Sequence, residues 1–244
     1  MTSKSEPSTV EGNQLLSYSL DGPVATITMD DGKANAMSVA MLAQLNQALD
    51  QADEDEAVVV LAGREGVFSG GYDLAMFSGT PEQINDCVRT GGRLVHRLAS
   101  RPLPTVAACT GHAMAQGVFT MLACDSRFGI DSSRFKIGMP EVKLGMSLPA
   151  YAIAIARLRL TPSGLTHATL TGLSYTPQEA MQVGFFTKLV DGSTSDADHV
   201  VAAAQEEAAK MAEVDMRSYA SIKRKVWGRE LTAMEATNTE ERVL

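Results

Sequence analysis

The feature that most constrains this chain is an alternation. Short apolar runs are each followed by a stretch whose apolar residues recur at helical spacing. Leu15 to Leu20, the turn residues Asp21-Gly22 and the alternating run Val24 to Met29 read as a hairpin of two strands. Met37, Met41, Leu45 and Leu49 then fall every four residues, a helical stripe with Ser38 near its start. Val58-Val59-Val60-Leu61 is apolar without alternation, which suits a parallel strand covered on both faces. Thr105 to Cys109 and Ser126 to Ile130 repeat that pattern, and Arg134 to Ile137 is expected to add one more strand. Thr80-Pro81-Glu82 opens a helix that runs to about Ser100, where Pro102 and Pro104 stop further helix. Asp73 to Phe77 is a short helical piece, and Gly117 to Ala123 an apolar, buried helix. Gly66 to Gly71 and Gly111 to Gln116 are expected to be loops.

From Leu148 onward only helices are expected: Ala150–Leu158, Pro162–Thr171, Pro177–Val183, Asp196–Val214 and Asp215–Trp227. Strands alternating with helices, then helices alone, imply an α/β core followed by a helical part. No Gly/Ser linker marks the switch, so the helical part is expected to pack on the core or on a neighbouring subunit. The expected division is a disordered lead over 1–14, the α/β core over 15–190 and a helical region over 191–244.

Composition removes several classes of function. The 244 residues carry a formal net charge of −8 and no run of Lys/Arg, which disfavours a nucleic-acid or anionic-membrane surface. The 3 Cys have no CxxC spacing, which argues against a disulfide framework or a thiolate zinc site and fits a reducing compartment. No apolar stretch reaches the ~18 residues of a membrane span. The opening MTSKSEPSTVEGNQ has no apolar core and the closing ERVL is not a peroxisomal address. The cytoplasm is the expected location.

Three segments carry candidate chemistry. Gly66-Val67-Phe68-Ser69-Gly70-Gly71-Tyr72-Asp73 follows a strand and precedes a helical turn, so it can present free N–H groups to a ligand. It is neither GxGxxG nor a P-loop, and taken alone it reads rather as a plain strand-to-helix turn. Gly111 to Gly117 repeats the arrangement, and two such turns converging on one oxygen would make an oxyanion hole. The third segment, Lys136 to Gly145, sets Glu141 among Met, Pro, Val and Leu, where desolvation would raise its pKa and suit a general base. From these residues alone the favoured reading is instead a surface Glu141 paired with Lys136 or Lys143. A Cys109–His112 nucleophile is disfavoured, because Cys109 ends an apolar strand and nothing nearby orients the imidazole. His96, His167 and His199 lack ligand spacing, so no metal is expected. Lys223-Arg224-Lys225 reads as a solvated helix face.

Taken in order, GVFSGGYDL (Gly66–Leu74), GHAMAQGVFTMLACDSR (Gly111–Arg127), FKIGMPEVKLG (Phe135–Gly145) and TPQEAMQVGFFTKLV (Thr176–Val190) resemble the crotonase superfamily of enoyl-CoA hydratases and isomerases. The resemblance covers roughly residues 15 to 228. It implies an α/β, crotonase-like core of repeated ββα units, a C-terminal helical trimerisation region, and a homotrimer or a dimer of trimers. The implied ligand is an acyl-CoA thioester, with coenzyme A as part of the substrate and no separate cofactor. Tyr72 falls on the first oxyanion donor position and Gln116 on the second, usually a Gly in the hydratases. Lys33-Ala34-Asn35-Ala36-Met37 resembles the loop that holds the adenine and ribose end of CoA. The substrate-binding set implied in this way is Lys33, Ala34, Ala36, Ser69, Gly70, Gly71, Asp73, Leu74 and Phe119.

The catalytic carboxylates discriminate within that superfamily. Hydratases resemble one another in having two Glu. Here the second is present as Glu141, and the first position holds Phe119. A phenyl ring cannot hold and activate a water, whereas some Δ3,Δ2-enoyl-CoA isomerases in the superfamily work with a single Glu and an apolar residue opposite. The implied reaction is therefore a shift of a 3-enoyl-CoA double bond to the 2-position through an enolate, with Glu141 as the base. The alternatives are a hydratase or other crotonase-type reaction, with a second acid from Glu65, Asp73 or Tyr151, and a non-catalytic CoA-binding family member. Many members close with a helix carrying an aromatic and a Lys/Arg, and this sequence shows no matching segment. The acyl pocket is accordingly expected to be more open, or covered by a neighbouring subunit.

Overall fold

The computed structural model describes residues 14–192 and 197–240. The expected lead over 1–14 lies outside the described residues except for Gln14, and so does the ERVL end. The hairpin forms as read: β1 (Leu16–Asp21) pairs antiparallel with β2 (Val24–Met29). Ser38 caps α1 (Val39–Glu54) by accepting the N–H of Met41, which satisfies one of the free donors of the first turn. β3 (Val58–Ala62) is buried at every residue.

Three units then repeat one plan. β3 is followed by β4 (Gly66–Ser69), a 3₁₀ turn (Leu74–Ser78) and α2 (Pro81–Ser100). β5 (Thr105–Cys109) is followed by β6 (Gly111–Met114) and α3 (Gln116–Ala123). β7 (Ser126–Asp131) is followed by β8 (Ile137–Gly138), a 3₁₀ turn (Glu141–Leu144) and α4 (Ala150–Arg159). The first strand of each unit enters a six-stranded sheet and the second a four-stranded one.

Both expected loops therefore contain strands, at Gly66–Ser69 and Gly111–Met114. Each is four residues long and too short for an alternation to register. The strand expected over Arg134 to Ile137 shrinks to Ile137–Gly138.

The helical expectation beyond Leu148 also needs correction. α5 (Pro162–Thr171) and α6 (Pro177–Val183) form as read, but β9 (Ser174–Tyr175) and β10 (Lys188–Asp191) intervene. The large sheet runs β1-β2-β3-β5-β7-β10, parallel from β2 onward, and the small one β4-β6-β8-β9. Strand pairing, not side-chain pattern, recruits these short segments. α7 (Ala197–Met211) ends before Val214, and α8 (Met216–Glu240) runs past Trp227.

The large sheet is covered on both faces. Val59, Leu61, Ala107 and Cys109 face a core shared with α1 to α4. Val58, Val60, Val106 and Ala108 face a second core, closed by Val200, Ala204 and Ala208 of α7.

Candidate active site

The site forms where the small sheet meets the N-terminus of α3. After β4 the chain turns at Gly70-Gly71, and three bonds stitch that turn to the preceding loop. Gly70 N–H donates to Ala34 O at 2.8 Å, Met37 N–H to Gly71 O at 2.8 Å, and Ser69 Oγ to Asn35 O at 2.7 Å. Gly71 takes φ +97°, a region that L side chains rarely adopt, and a side chain there would stand 2.8 Å from Ala115 Cβ and 3.5 Å from Gln116 N. The two turns are thus packed against each other.

On the second turn the positive φ falls on Ala115 (φ 50°, ψ −125°), a strained conformation for a residue with a side chain. That twist makes Gln116 the first residue of α3. Among the described residues, no acceptor takes the main-chain N–H of Tyr72 or of Gln116. Ala115 N–H donates to Gly138 O at 3.0 Å, which ties the turn to β8 and to the segment carrying Glu141.

A cavity of about 290 Å³ lies beside these turns, lined by Gly70, Tyr72, Ala115, Phe119, Glu141 and Tyr151, with Phe77, Val88 and Pro149. Leu74 and Leu144 also line it, and both are exposed. Glu141 is 7% exposed, and its Oε2 is buried without a hydrogen-bond partner. Desolvation pushes its carboxyl up to about 7, partly offset by a bond from its own N–H. Lys136 and Lys143 are exposed and make no ion pair with it among the described residues, so the surface-pair reading fails. Phe119, one turn after Gln116 on α3, is 2% exposed and meets Tyr151 edge-on with ring centroids 6.1 Å apart.

The far end of α3 is capped by cations. Arg159 donates to Leu122 O at 2.9 Å and Cys124 O at 2.7 Å, and Arg127 donates to Cys124 O at 3.1 Å. Guanidinium groups at the carbonyl end complement the helix dipole, whose positive end points toward Gln116.

Of the residues expected at the site, Gly70, Tyr72, Leu74, Phe119 and Glu141 line this cavity. Gln116 is fully buried behind it. Gly71 and Ser69 build the turn, Ser69 Oγ also accepting Gly71 N–H at 3.2 Å. Asp73 points elsewhere: it caps the 3₁₀ turn by accepting Ala75 N–H at 2.9 Å, and it lines a neighbouring groove with Val39 and Met76. Lys33, Ala34 and Ala36 belong to the loop stitched to Gly70 and Gly71, and none of them lines the cavity. Of the three proposed sources of a second acid, Glu65 is exposed and outside the cavity, whereas Tyr151 lines it.

The remaining candidates resolve as structure. Burial pushes the Cys109 thiol up to about 12, and His112 Nδ1 accepts Lys136 N–H at 3.0 Å, so no thiolate–imidazole pair forms. Lys223 is not on a solvated face: its ammonium is buried 2.8 Å from Asp125. Among the described residues no group of three His, Cys, Asp or Glu could hold a metal ion.

Sequence reasoning missed Gly91-Gly92, in the middle of α2. A methyl at Gly91 would collide with the Tyr72 hydroxyl and stand 2.9 Å from Gln116 Nε2, and one at Gly92 would stand 2.7 Å from Tyr151 Cδ1. Two glycines inside a helix cost about 1 kcal/mol each relative to Ala, and that cost was the available signal that something large is seated there.

The family model for enoyl-CoA hydratase/isomerase matches residues 20–243. A Pseudomonas syringae protein described as an enoyl-CoA hydratase/isomerase family member is 36% identical, with a TM-score of 0.89 over 94% of this chain and 98% of that one. A Mycobacterium tuberculosis protein, described as an enoyl-CoA isomerase in one structure and as a probable enoyl-CoA hydratase in another, is also 36% identical, with a TM-score of 0.86 over 92% of this chain and 96% of that one in the first. A probable enoyl-CoA hydratase of Bacillus subtilis is 30% identical over 219 residues, 85% of this chain and 80% of the relative. With the two turns, the buried carboxylate and this match in place, the chain belongs to the enoyl-CoA hydratase/isomerase family.

Proposed function

We propose that this enzyme shifts the double bond of a 3-enoyl-CoA to the conjugated 2-position. The observation that carries the reading is Glu141: a desolvated carboxyl with an unpartnered oxygen, in a cavity whose other lining residues include no second carboxylate. The thioester oxygen sits between the N–H groups of Tyr72 and Gln116. Glu141 takes a proton from C2, the electrons move onto the thioester oxygen as an enolate, and the two N–H groups stabilise it. Losing one such donor typically costs about 3–4 kcal/mol. The same proton then returns from Glu141 to C4, the double bond settles between C2 and C3, and the carboxylate is restored. One base serves both transfers. Phe119 stands where a water-holding carboxylate would be needed, so the conjugated product is not hydrated. The chemistry requires no group beyond the coenzyme A of the substrate.

The reading extends to assembly and place. Exposed Val142, Leu144, Leu170 and Leu173 are apolar surface of the kind that subunits cover, and a homotrimer or dimer of trimers accommodates them. Light scattering at assay concentration tests that, with a monomer counting against it. No helix among the described residues is long and apolar enough to cross a membrane, and the reading places the enzyme in the cytoplasm.

The experiment for the reaction compares two substrates by conjugated-enoyl absorbance. A rise with 3-hexenoyl-CoA and no fall with crotonyl-CoA is the expected result. Hydration of crotonyl-CoA at a comparable rate overturns the role given to Phe119. Silence with both substrates leaves a binding protein.

A further inference from the structure

Behind the cavity runs a chain of hydrogen bonds with one direction. Gln116 Nε2 donates to Gly91 O at 3.1 Å, which leaves Gln116 Oε1 as an acceptor. Tyr151 fills it, donating its hydroxyl proton at 2.7 Å. The Tyr151 proton is thereby committed, so the 3.0 Å contact between the Tyr72 and Tyr151 hydroxyls has Tyr72 as the donor. Tyr72 shares the same proton with Val88 O at 3.2 Å. The order is Tyr72 to Tyr151 to Gln116 to Gly91, a series in which each bond polarises the next. Its first and third members, Tyr72 and Gln116, are the residues whose main-chain N–H groups the proposed function turns toward the enolate. Both outer acceptors, Val88 O and Gly91 O, lie on α2, and Gly91 and Gly92 leave the space in which the amide and the two rings sit.

The second turn gives this chain a purpose. Ala115 holds a positive φ that a residue with a side chain avoids, and such a conformation persists only when its surroundings over-determine it. Gln116, next in sequence, is fully buried and fixed at both ends of its amide. We infer that the buried Tyr72–Tyr151–Gln116 chain is a strut that holds the second oxyanion N–H on target, with Tyr151 as a positioning residue for the enolate. This deepens the proposed function and rests on its two N–H donors. It also explains how the donor position tolerates Gln: the side chain supplies the rigidity that a backbone alone would lack. Tyr151 touches no reacting atom in this assignment and acts through Gln116.

The test measures enolate stabilisation apart from isomerisation. Acetoacetyl-CoA, whose enolate absorbs in the near ultraviolet, is titrated into the wild-type protein, Tyr151→Phe and Gln116→Leu. Hexanoyl-CoA, which forms no comparable enolate, is titrated in parallel. Tyr151→Phe keeps the ring, and Gln116→Leu keeps the main-chain N–H. The strut predicts that both variants stabilise the enolate about tenfold less, the range of one lost hydrogen bond, and lose less than that in affinity for hexanoyl-CoA. In turnover the loss falls on kcat more than on KM. An unchanged enolate fraction in folded Gln116→Leu overturns the strut, because the bare N–H would then suffice. If Tyr151→Phe does not fold, Gln116→Leu decides alone, and thermal melting of each variant identifies that case. Enolate formation without isomerisation in the wild type removes the proposed reaction and leaves the strut standing. Absence of enolate in the wild type removes both.

Discussion

At the scale of the residue, Glu141 ties activity to stability through one proton. Its folded-state pKa is raised to about 7 by desolvation, so the folded protein holds this proton more tightly than the unfolded chain does. The stability from protonation is full below the unfolded value near 4.3 and is lost as pH rises through about 7. The loss is on the order of 3 kcal/mol. Glu141→Gln, permanently neutral, is expected to raise the melting temperature by several degrees at pH 9 and by little at pH 5, as scanning calorimetry would show. The same substitution should lower isomerisation about 10³-fold. In the wild type, kcat/KM should rise with pH along an acidic limb centred near 7, since only the carboxylate removes a proton. A limb near 4 would show that the cavity does not desolvate this group in solution.

At the scale of the element, α2 and α8 make opposite uses of glycine. Gly91 in α2 is pressed against the Tyr72 hydroxyl and the Gln116 amide, whereas nothing stands within 4 Å of a methyl placed at Gly228 in α8. Gly228→Ala should therefore stabilise the protein by about 1 kcal/mol, the ordinary gain in a helix interior. Gly91→Ala should destabilise it by about 2 kcal/mol despite the same gain in propensity, because the new carbon overpacks the site. Chemical denaturation of the two variants side by side checks the sign of each. What the sequence makes legible follows from the same distinction between local and distant causes. The hairpin, α1, α2, α5 and α6 carry their own caps and periodicities, and their bounds are readable within a residue or two. β4, β6, β9 and β10 exist because partner strands are brought to them from elsewhere, and a window of two to four residues holds no trace of that. In the site, Glu141, Tyr72 and Gln116 stood out in recognisable segments. Asp73 caps the next turn, and such a cap looks, in sequence, the same as a group facing a ligand. The importance of Tyr151 depended on a helix thirty-five residues from Gln116 folding back onto it.

At the scale of the whole molecule, α8 is anchored by charge as well as by apolar contact. Lys223 reaches back to Asp125, with relative side-chain exposures of 4% and 8%, and its ammonium lies 4.8 Å from the Trp227 ring. Asp125 also accepts the Thr105 N–H at 2.8 Å, so one carboxylate joins the start of β5 to the long terminal helix. Lys223→Met leaves that carboxylate buried without its ion partner, and the expected loss is about 3–5 kcal/mol in a denaturant titration. A loss under about 1 kcal/mol would mean that water replaces the ammonium.

The position of α7 has a consequence for synthesis. Gln205 on this helix donates to Thr26 on β2, across 179 residues of chain, and Val200, Ala204 and Ala208 seal one face of the large sheet. While the polypeptide is still emerging, that face lacks its cover until α7 has left the ribosome. A stalled nascent chain ending before residue 197 should accordingly be a client of holding chaperones, and release of the remaining segment should end that dependence.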